Sequence, residues 1–433
     1  MKTTAYRKLL ITIIALSSWL AGHSQQYPDS LIKYLEIAAK NNPTVLQKFS
    51  EYQAALQKIP QAGSLSDPEL SLGVFLKPME LVSGNQVADI RLMQMFPWFG
   101  VLKNAKDEMS LMANAKFELF RDAKLQVFYD VQRTLYDLYK IQKDITISEK
   151  NIEILKIIER LALERLKSAP SESPGTTISD SQGLAELYRI QMEMGELENN
   201  IALLKNQEQT VIALFNSYLN RPPLVSVFTS EVLAADSLGL SLIAVSDSIL
   251  AKNPMLGMLE FEKQSIESRK KMVTRMGYPM VGIGLNYTLI SKTQYPMGMP
   301  SMNGRDMVMP MVTVTLPVYR KKYNAMVKEA DLLKTATSLN YQATANSLQT
   351  EYYQAFQLYQ DAQRRIKLYE NQYQLASKSL DLIIKSFSTS SSGLTDVLRA
   401  QQQTLDYELK HVEAVADFNT AIAWLNRLMA FSQ

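Results

Sequence analysis

Chemistry needs particular side chains, and this chain of 433 residues holds few of the reactive ones. It has no cysteine and only two histidines, His23 and His411. With no thiol and, once the N-terminal segment is set aside, a single histidine, no nucleophile–His–acid constellation can be argued, and no glycine-rich loop follows a strand to cradle a phosphate. We therefore expect no enzyme and no resident cofactor. One metal chemistry stays open. Met297, Met299, Met302, Met307, Met309 and Met311 fall within 15 residues, and thioethers are soft ligands suited to Cu(I). No Cys or His accompanies them, so a lipid-facing or loop-packing role explains Met307, Met309 and Met311, which alternation puts on one strand face. Met297, Met299 and Met302 are the residual metal candidates. A charged motif occurs twice: Glu186 with Arg189, and Asp396 with Arg399. An acid and an arginine three apart on a helix can pair, worth roughly 0.2–0.5 kcal/mol. Asp396 either caps and solvates a helix start or carries its charge to something outside the helix.

The N-terminus reads as a secretory signal over residues 1–24. Lys2, Arg7 and Lys8 form a basic region, Leu9 to Leu20 is apolar, and Ala21-Gly22-His23-Ser24 offers small residues for cleavage. Its three basic residues account for the formal charge of +3, so the mature chain is balanced and gives no sign of a nucleic-acid partner. After this segment nothing approaches the roughly 18 consecutive apolar residues of a spanning helix, which leaves strands as the route into a membrane.

The elements that must position these residues come in two copies. Residues 25–238 form one structural repeat: helices interrupted at Asn42-Pro43 and ending near Pro60, a strand hairpin over 69–96, a long helical hairpin over 99–220 and a linker over 221–238. Residues 239–433 form the second: helix, strand hairpin 279–316 and long helical hairpin 318–432. In the first hairpin Leu70, Leu72, Val74 and Leu76 alternate with Ser71, Gly73 and Phe75, residues 77–87 read as a loop, and the return strand spans about 88–96. From Val101 to Ala169 there is no Pro or Gly, and Phe117, Phe120, Val127, Val131, Leu135, Leu138, Ile145, Ile152 and Leu155 follow coiled-coil spacing. After the second strand pair, Arg320-Lys321-Lys322 reads as a solvated helix start. Anchors along the two copies agree in register. Asn42-Pro43 and Gly73 fall on Asn253-Pro254 and Gly284 at an offset of 211, Pro97 on Pro317 at 220, and Gly183 to Gln191 on Gly393 to Gln401 at 210. Such self-similarity implies a pseudo-symmetric architecture.

Four strands cannot close a membrane barrel, whose minimum is about eight. Strands that span must therefore be shared. Two chains give eight strands with an interior filled by side chains, and three give twelve with room for a pore. The fold class is thus mainly α with a small β part, in which long coiled-coil helices form an α-helical barrel beneath the strands. A periplasmic coiled-coil scaffold with a soluble sheet, and a self-contained porin, are the competing readings.

Three stretches carry a resemblance to a known family: Gln94-Met95-Phe96-Pro97-Trp98-Phe99-Gly100, Thr315-Leu316-Pro317-Val318-Tyr319, and Gly393-Leu394-Thr395-Asp396-Val397-Leu398-Arg399-Ala400-Gln401. With the duplication, the chain after the signal resembles the TolC-like outer-membrane efflux proteins, nearest to the CusC-like and CzcC-like members. The resemblance implies a homotrimer with a twelve-strand barrel in outer-membrane lipid, a periplasmic helical tunnel, and partnership with a periplasmic adaptor protein and an inner-membrane pump. It implies that Pro97, Trp98, Phe99, Gly100, Pro317 and Tyr319 mark the barrel–helix junctions. Asp396, with Glu186 as its mate, stands where family members place pore-ringing acids. Arg399, with Arg189, replaces the second acid, and Phe387 replaces a gate tyrosine. Tyr278, with Trp98, Phe99 and Tyr319, suits an interfacial aromatic girdle.

Overall fold

A computed structural model describes residues 31–81, 84–168, 177–230, 233, 249, 251–294, 300–389 and 393–431. The expected signal, the far turn at 170–176, most of the stretch 231–250, Met297 and Met299 lie outside the described residues. In chain order the elements are α1 (Leu31–Asn41), α2 (Pro43–Gly63), β1 (Glu69–Leu81), β2 (Gly84–Phe96), α3 (Val101–Ser168), α4 (Thr177–Tyr218), α5 (Pro254–Met276), β3 (Met280–Ser291), β4 (Met307–Thr315), α6 (Arg320–Ser388) and α7 (Leu394–Leu428), with one 3₁₀ turn at Pro300–Met302. No described helix is long and apolar enough to cross a membrane.

The helices make a wall of columns. α3, with 68 residues, is about 100 Å long at 1.5 Å per residue. It packs against α2 and α4 on one side and against α5 and α7 on the other, and α5 and α7 pack in turn on α6. The short helices are stacked end to end. Asn42 caps α2, its Oδ1 accepting from the Thr44 and Val45 backbone N–H groups at 2.9 and 3.2 Å, while its Nδ2 donates to the Tyr218 carbonyl at the end of α4 at 2.9 Å. Asn253 repeats this: its Oδ1 accepts from Met255 N–H at 3.0 Å, and its Nδ2 donates to the Leu428 carbonyl at the end of α7 at 3.1 Å. One side chain thus satisfies orphan donors of one helix and an orphan carbonyl of another. Both C-termini also turn through a left-handed residue, Asn220 and Ala430, each at φ 53°. The columns therefore run α2 over α4, then α3, then α5 over α7, then α6.

The sheet repeats that order. Its strands pair antiparallel as β1-β2-β3-β4, leaving β1 and β4 as edges. Each strand continues a column: α2 leads into β1, β2 into α3, α5 into β3 and β4 into α6. Neither face of the sheet carries a helical layer, and β1 and β4 are exposed at nearly every position.

Three local expectations are corrected. Residues 77–87 are mostly strand: β1 runs to Leu81 and β2 begins at Gly84. Pro78 fits because β1 is an edge strand and its register with β2 shifts between Val74 and Met79, where a missing N–H costs no ladder bond. Gly84, at φ 125°, makes the tight return. α2 runs through Pro60 to Gly63, since Pro60 is near an exposed helix end and its carbonyl still accepts from Ser64 Oγ at 2.6 Å. Arg320 is not merely solvated; its Nη1 donates to the Gly277 carbonyl at 3.0 Å and ties α6 to α5 below the sheet.

Candidate functional site

The register assigns each strand residue to a face, because directly paired residues share one. One face carries Leu70, Leu72 and Val74 on β1, Ile90 and Leu92 on β2, Ile283 and Leu285 on β3, and Val308, Val312 and Val314 on β4. The other carries Ser71, Arg91, Asn286 and Thr313. A continuous exposed apolar sheet face of this kind marks a surface that meets a membrane or another protein. Met307, Met309 and Met311 lie on the polar face, opposite Thr288, Asn286 and Gly284, and not on the face of Leu70, Leu72 and Val74. The three do share one face, as their alternation requires, but Val308, Val312 and Val314 take the apolar side. Met302, in the 3₁₀ turn between β3 and β4, is half exposed. Among the described residues, no group of three His, Cys, Asp or Glu residues could hold a metal ion.

At the foot of the sheet, Trp98 stacks on Tyr278 with ring centroids 5.4 Å apart and meets Phe99 edge-on at 5.9 Å. Phe99 and Tyr319 are more than four-fifths exposed, and Leu316 and Val318 beside them are also open. Pro97 ends β2 and Pro317 follows β4. Gly100 starts α3 at φ 88°, a conformation that glycine adopts without strain, and its carbonyl accepts from the Asn104 backbone N–H and Nδ2 at 3.0 and 2.6 Å.

At the far end of the columns the second candidate site takes shape. Leu187 and Ile190 of α4 and Leu394 and Val397 of α7 are buried with Leu155 and Ile158 of α3 in one apolar cluster. That registers the exposed faces of α4 and α7 beside each other. Arg189, Glu193, Thr395, Arg399 and Gln402 line a groove of about 310 Å³, in which Gln402 Nε2 donates to Glu193 at 2.9 Å and Arg189 reaches Thr395 Oγ1 at 3.5 Å. Asp396 is exposed in the first turn of α7, where the helix dipole favours an anion, and the N-cap is Gly393 rather than an acid. Among the described residues no ion pair joins Asp396 to Arg399 or Glu186 to Arg189. Glu186 is half-buried on α4 and is not among the residues that line this groove. Phe387 does not face the groove. It is 1% exposed within the apolar cluster, with the Arg165 guanidinium 5.0 Å from its ring centroid. An apolar ring in the core thus occupies the position at which the resemblance implies a gate contact.

Between the two ends the α3–α7 seam holds groups that sequence reasoning missed. Lys140 pairs with Glu413 at 3.0 Å, and Arg365 of α6 pairs with Asp417 at 2.6 Å. Asp144 stands beside the first pair with one carboxylate oxygen buried and unbonded. Burial pushes its carboxyl up to about 6; Lys140 opposes this and Glu413 adds to it. Lower down, Gln401 Nε2 donates to Asn151 Oδ1 at 3.0 Å inside the apolar cluster, with both residues buried. Nothing local in the sequence marks these pairs, since their partners come from separate helices distant in the chain.

No family model and no curated protein matches the chain. Among solved structures it is similar to CusC, from work on conformational changes accompanying folding and transmembrane channel formation, at TM-score 0.74 and 13% identity over 93% of this chain and 92% of that one. It is similar to the Campylobacter jejuni outer membrane channel CmeC at TM-score 0.71 and 15% identity, over 93% and 85% of the two chains. The open state of the Neisseria gonorrhoeae MtrE outer membrane channel aligns at TM-score 0.73 and 13% identity, over 93% and 89%. Four strands standing in order on four helical columns, matched over 93% of the chain by these channels, make this a protein with the TolC-like fold.

Proposed function

We propose that the protein is an outer-membrane channel of an efflux system: a homotrimeric, passive conduit that makes no bonds and hydrolyses nothing. The observation that carries this reading is that sheet and helical wall have the same open edges. β1 pairs only with β2, and β4 only with β3. Directly below, the outermost columns present unpartnered apolar residues at coiled-coil spacing. On α6 these are Leu332, Leu339 and Tyr353, then Leu368, Leu375 and Leu382; on α2 and α4 they include Leu46, Leu203 and Leu214. Backbone groups at a strand edge cannot be left unpaired in lipid, so β1 of one chain needs β4 of the next. Three chains give twelve strands and a lumen. The same closure brings α6 of one chain against α2 and α4 of its neighbour and extends the pore as a helical tunnel through the periplasm.

In this arrangement the Trp98, Phe99, Tyr278 and Tyr319 belt sits at the inner lipid interface, with Pro97 and Pro317 where strand wall becomes helix wall. The paired hydrogen bonds of Asn42 and Asn253 support an internal duplication, and the segment 1–24 delivers the chain to the envelope. The α4 and α7 tips, with Asp396, Glu186, Arg189 and Arg399, form the periplasmic mouth, where a periplasmic adaptor protein and an inner-membrane pump engage and open it. The cargo is a metal cation or a small toxic compound chosen by the pump.

Membrane fractionation with native mass measurement tests this reading. A trimer in detergent-extracted outer membrane, conducting ions when placed in a planar bilayer, is the expected result. A soluble monomer or dimer in periplasmic extract would overturn it.

A further inference from the structure

α5 floors a groove of about 500 Å³ whose sides are α3 and α6, a few helical turns below the sheet. Two carboxylates line it, Glu108 of α3 and Glu262 of α5. Among the described residues neither has an ion-pair partner. The neighbouring acids on α5 differ: Glu260 pairs with Lys263 at 3.3 Å and Glu267 with Lys334 at 2.7 Å. The only cation among the lining residues, Arg269, is taken by Glu329 at 3.0 Å. Burial pushes the Glu108 carboxyl up, with Arg269 opposing, so its charge is poorly solvated and a cation in the groove would favour it.

Two buried hydroxyls point to a ligand independently of the acids. Ser265 is 2% and Thr337 8% exposed, both line the groove, and neither side chain has a hydrogen-bond partner among the described residues. Hydroxyls on a helix can bond back to the preceding turn, as Thr274 and Thr335 do at 2.8 and 3.0 Å, yet these two do not. A buried polar group left in this way is costly unless something else bonds it. The helix registers show what lies together. A Cβ on Gly257 would stand 3.4 Å from the Glu118 side chain, and one on Gly100 4.0 Å from Arg275 Cγ. These contacts set Glu262 level with Ala113, about 7.5 Å along the wall from Glu108 at 1.5 Å per residue. The Arg269–Glu329 and Glu267–Lys334 pairs likewise set Thr337 level with Glu262. Met112, Ile266 and Leu333 line the stretch between the two carboxylates.

We propose that this groove binds a linear aliphatic diamine, with one ammonium group on Glu262 among the Ser265 and Thr337 hydroxyls, the other on Glu108, and the methylene chain along Met112, Ile266 and Leu333. The hydroxyls accept from the first ammonium, and the Asn340 side chain stands beside them on the lining. Carboxylates on two helices at two levels suit two ammonium groups on one chain better than one divalent ion, which gathers its oxygen ligands within about 2.6 Å. One chain supplies every group, so the site depends neither on which face lines a pore nor on what the pore passes.

The test is calorimetry on the full-length protein in detergent, with cadaverine as the probe and n-pentylamine, which has one ammonium group, as the comparison. Saturable binding of cadaverine at one per chain is expected, with n-pentylamine at least about tenfold weaker because it leaves one carboxylate without a charge-assisted bond. Glu262→Gln, and separately the double variant Ser265→Ala, Thr337→Val, should each weaken cadaverine at least about tenfold while native mass and thermal unfolding stay those of the parent. The double variant keeps both carboxylates, so its loss separates a built site from general attraction to acids. As a measurement that needs no variant, carbodiimide should couple cadaverine to Glu108 and Glu262 of the parent at concentrations that leave the exposed Glu198 unmodified, read by peptide mass spectrometry. Absence of saturable binding, equal affinity for the two amines, parent-like binding by either variant, or equal coupling at Glu198 would overturn the site.

Discussion

Asp144 shows how one residue's surroundings become a measurable property. Its carboxyl is lifted from 3.8 to about 6 by burial, with Lys140 opposing and Glu413 adding to the shift on its own seam. A folded-state pKa raised above the unfolded one means that the protonated form favours the fold. The contribution is fully present below about pH 3.8 and lost as the pH rises through 6. Asp144→Asn should therefore raise stability at pH 7.5, by about 1–2 kcal/mol once solvent screening of this partly exposed group is allowed for, with the gain vanishing near pH 4. Thermal unfolding at the two pH values checks it, and an equal gain at both would refute the cause given. Asn253 offers a second case. Asn253→Ala removes a helix cap and leaves the Leu428 carbonyl without its buried donor, so urea unfolding should show a loss of about 2 kcal/mol, matched by Asn42→Ala in the other half. The helix breaks at Asn42-Pro43 and Asn253-Pro254 were legible in the sequence because a proline's limits on the helix are local, whereas the capping bonds of the two asparagines were not read from it. Nor was the setting of Phe387: whether an aromatic ring faces a pore or a core depends on Arg165 and Leu394, which only the folded chain brings to it.

At the scale of elements, long helices were easy to read and strand limits were not. The stretch from Val101 to Ser168 has neither Pro nor Gly, and its apolar spacing fixes one continuous helix. Pro78 and Gly84 suggested a loop, yet an edge strand tolerates the first and a tight return requires the second. Methionine at 307, 309 and 311 declared one face, but whether that face is the polar or the apolar side of the sheet depends on β3, whose register the local sequence does not state. The exposed stripe on α6 yields a prediction. Leu339→Glu or Leu375→Glu places a charge where we expect the neighbouring chain's helices, and should shift the detergent-extracted protein from trimer to monomer by native mass while leaving helicity by circular dichroism unchanged. At the tips, Asp396→Ala should alter single-channel conductance or its block by cations; unchanged currents would return Asp396 to a dipole role at the start of α7.

The whole molecule is organised by a single ordering, in which each strand stands on the column that precedes or succeeds it in the chain. Both open sides are completed by another copy in our account, so closure of the ring is its central claim. The absence of cysteine makes that claim directly measurable, because the two introduced thiols are the only ones in the chain. A cysteine replacing Leu72 on β1, combined in turn with one replacing Val308, Val312 or Val314 on β4, samples the inter-chain registers on the lipid-facing side. After mild oxidation of outer membranes, denaturing gels should show dimer and trimer bands that end at three chains for at least one register. No inter-chain disulfide in any combination, or a ladder that continues past three, would contradict a closed twelve-strand ring.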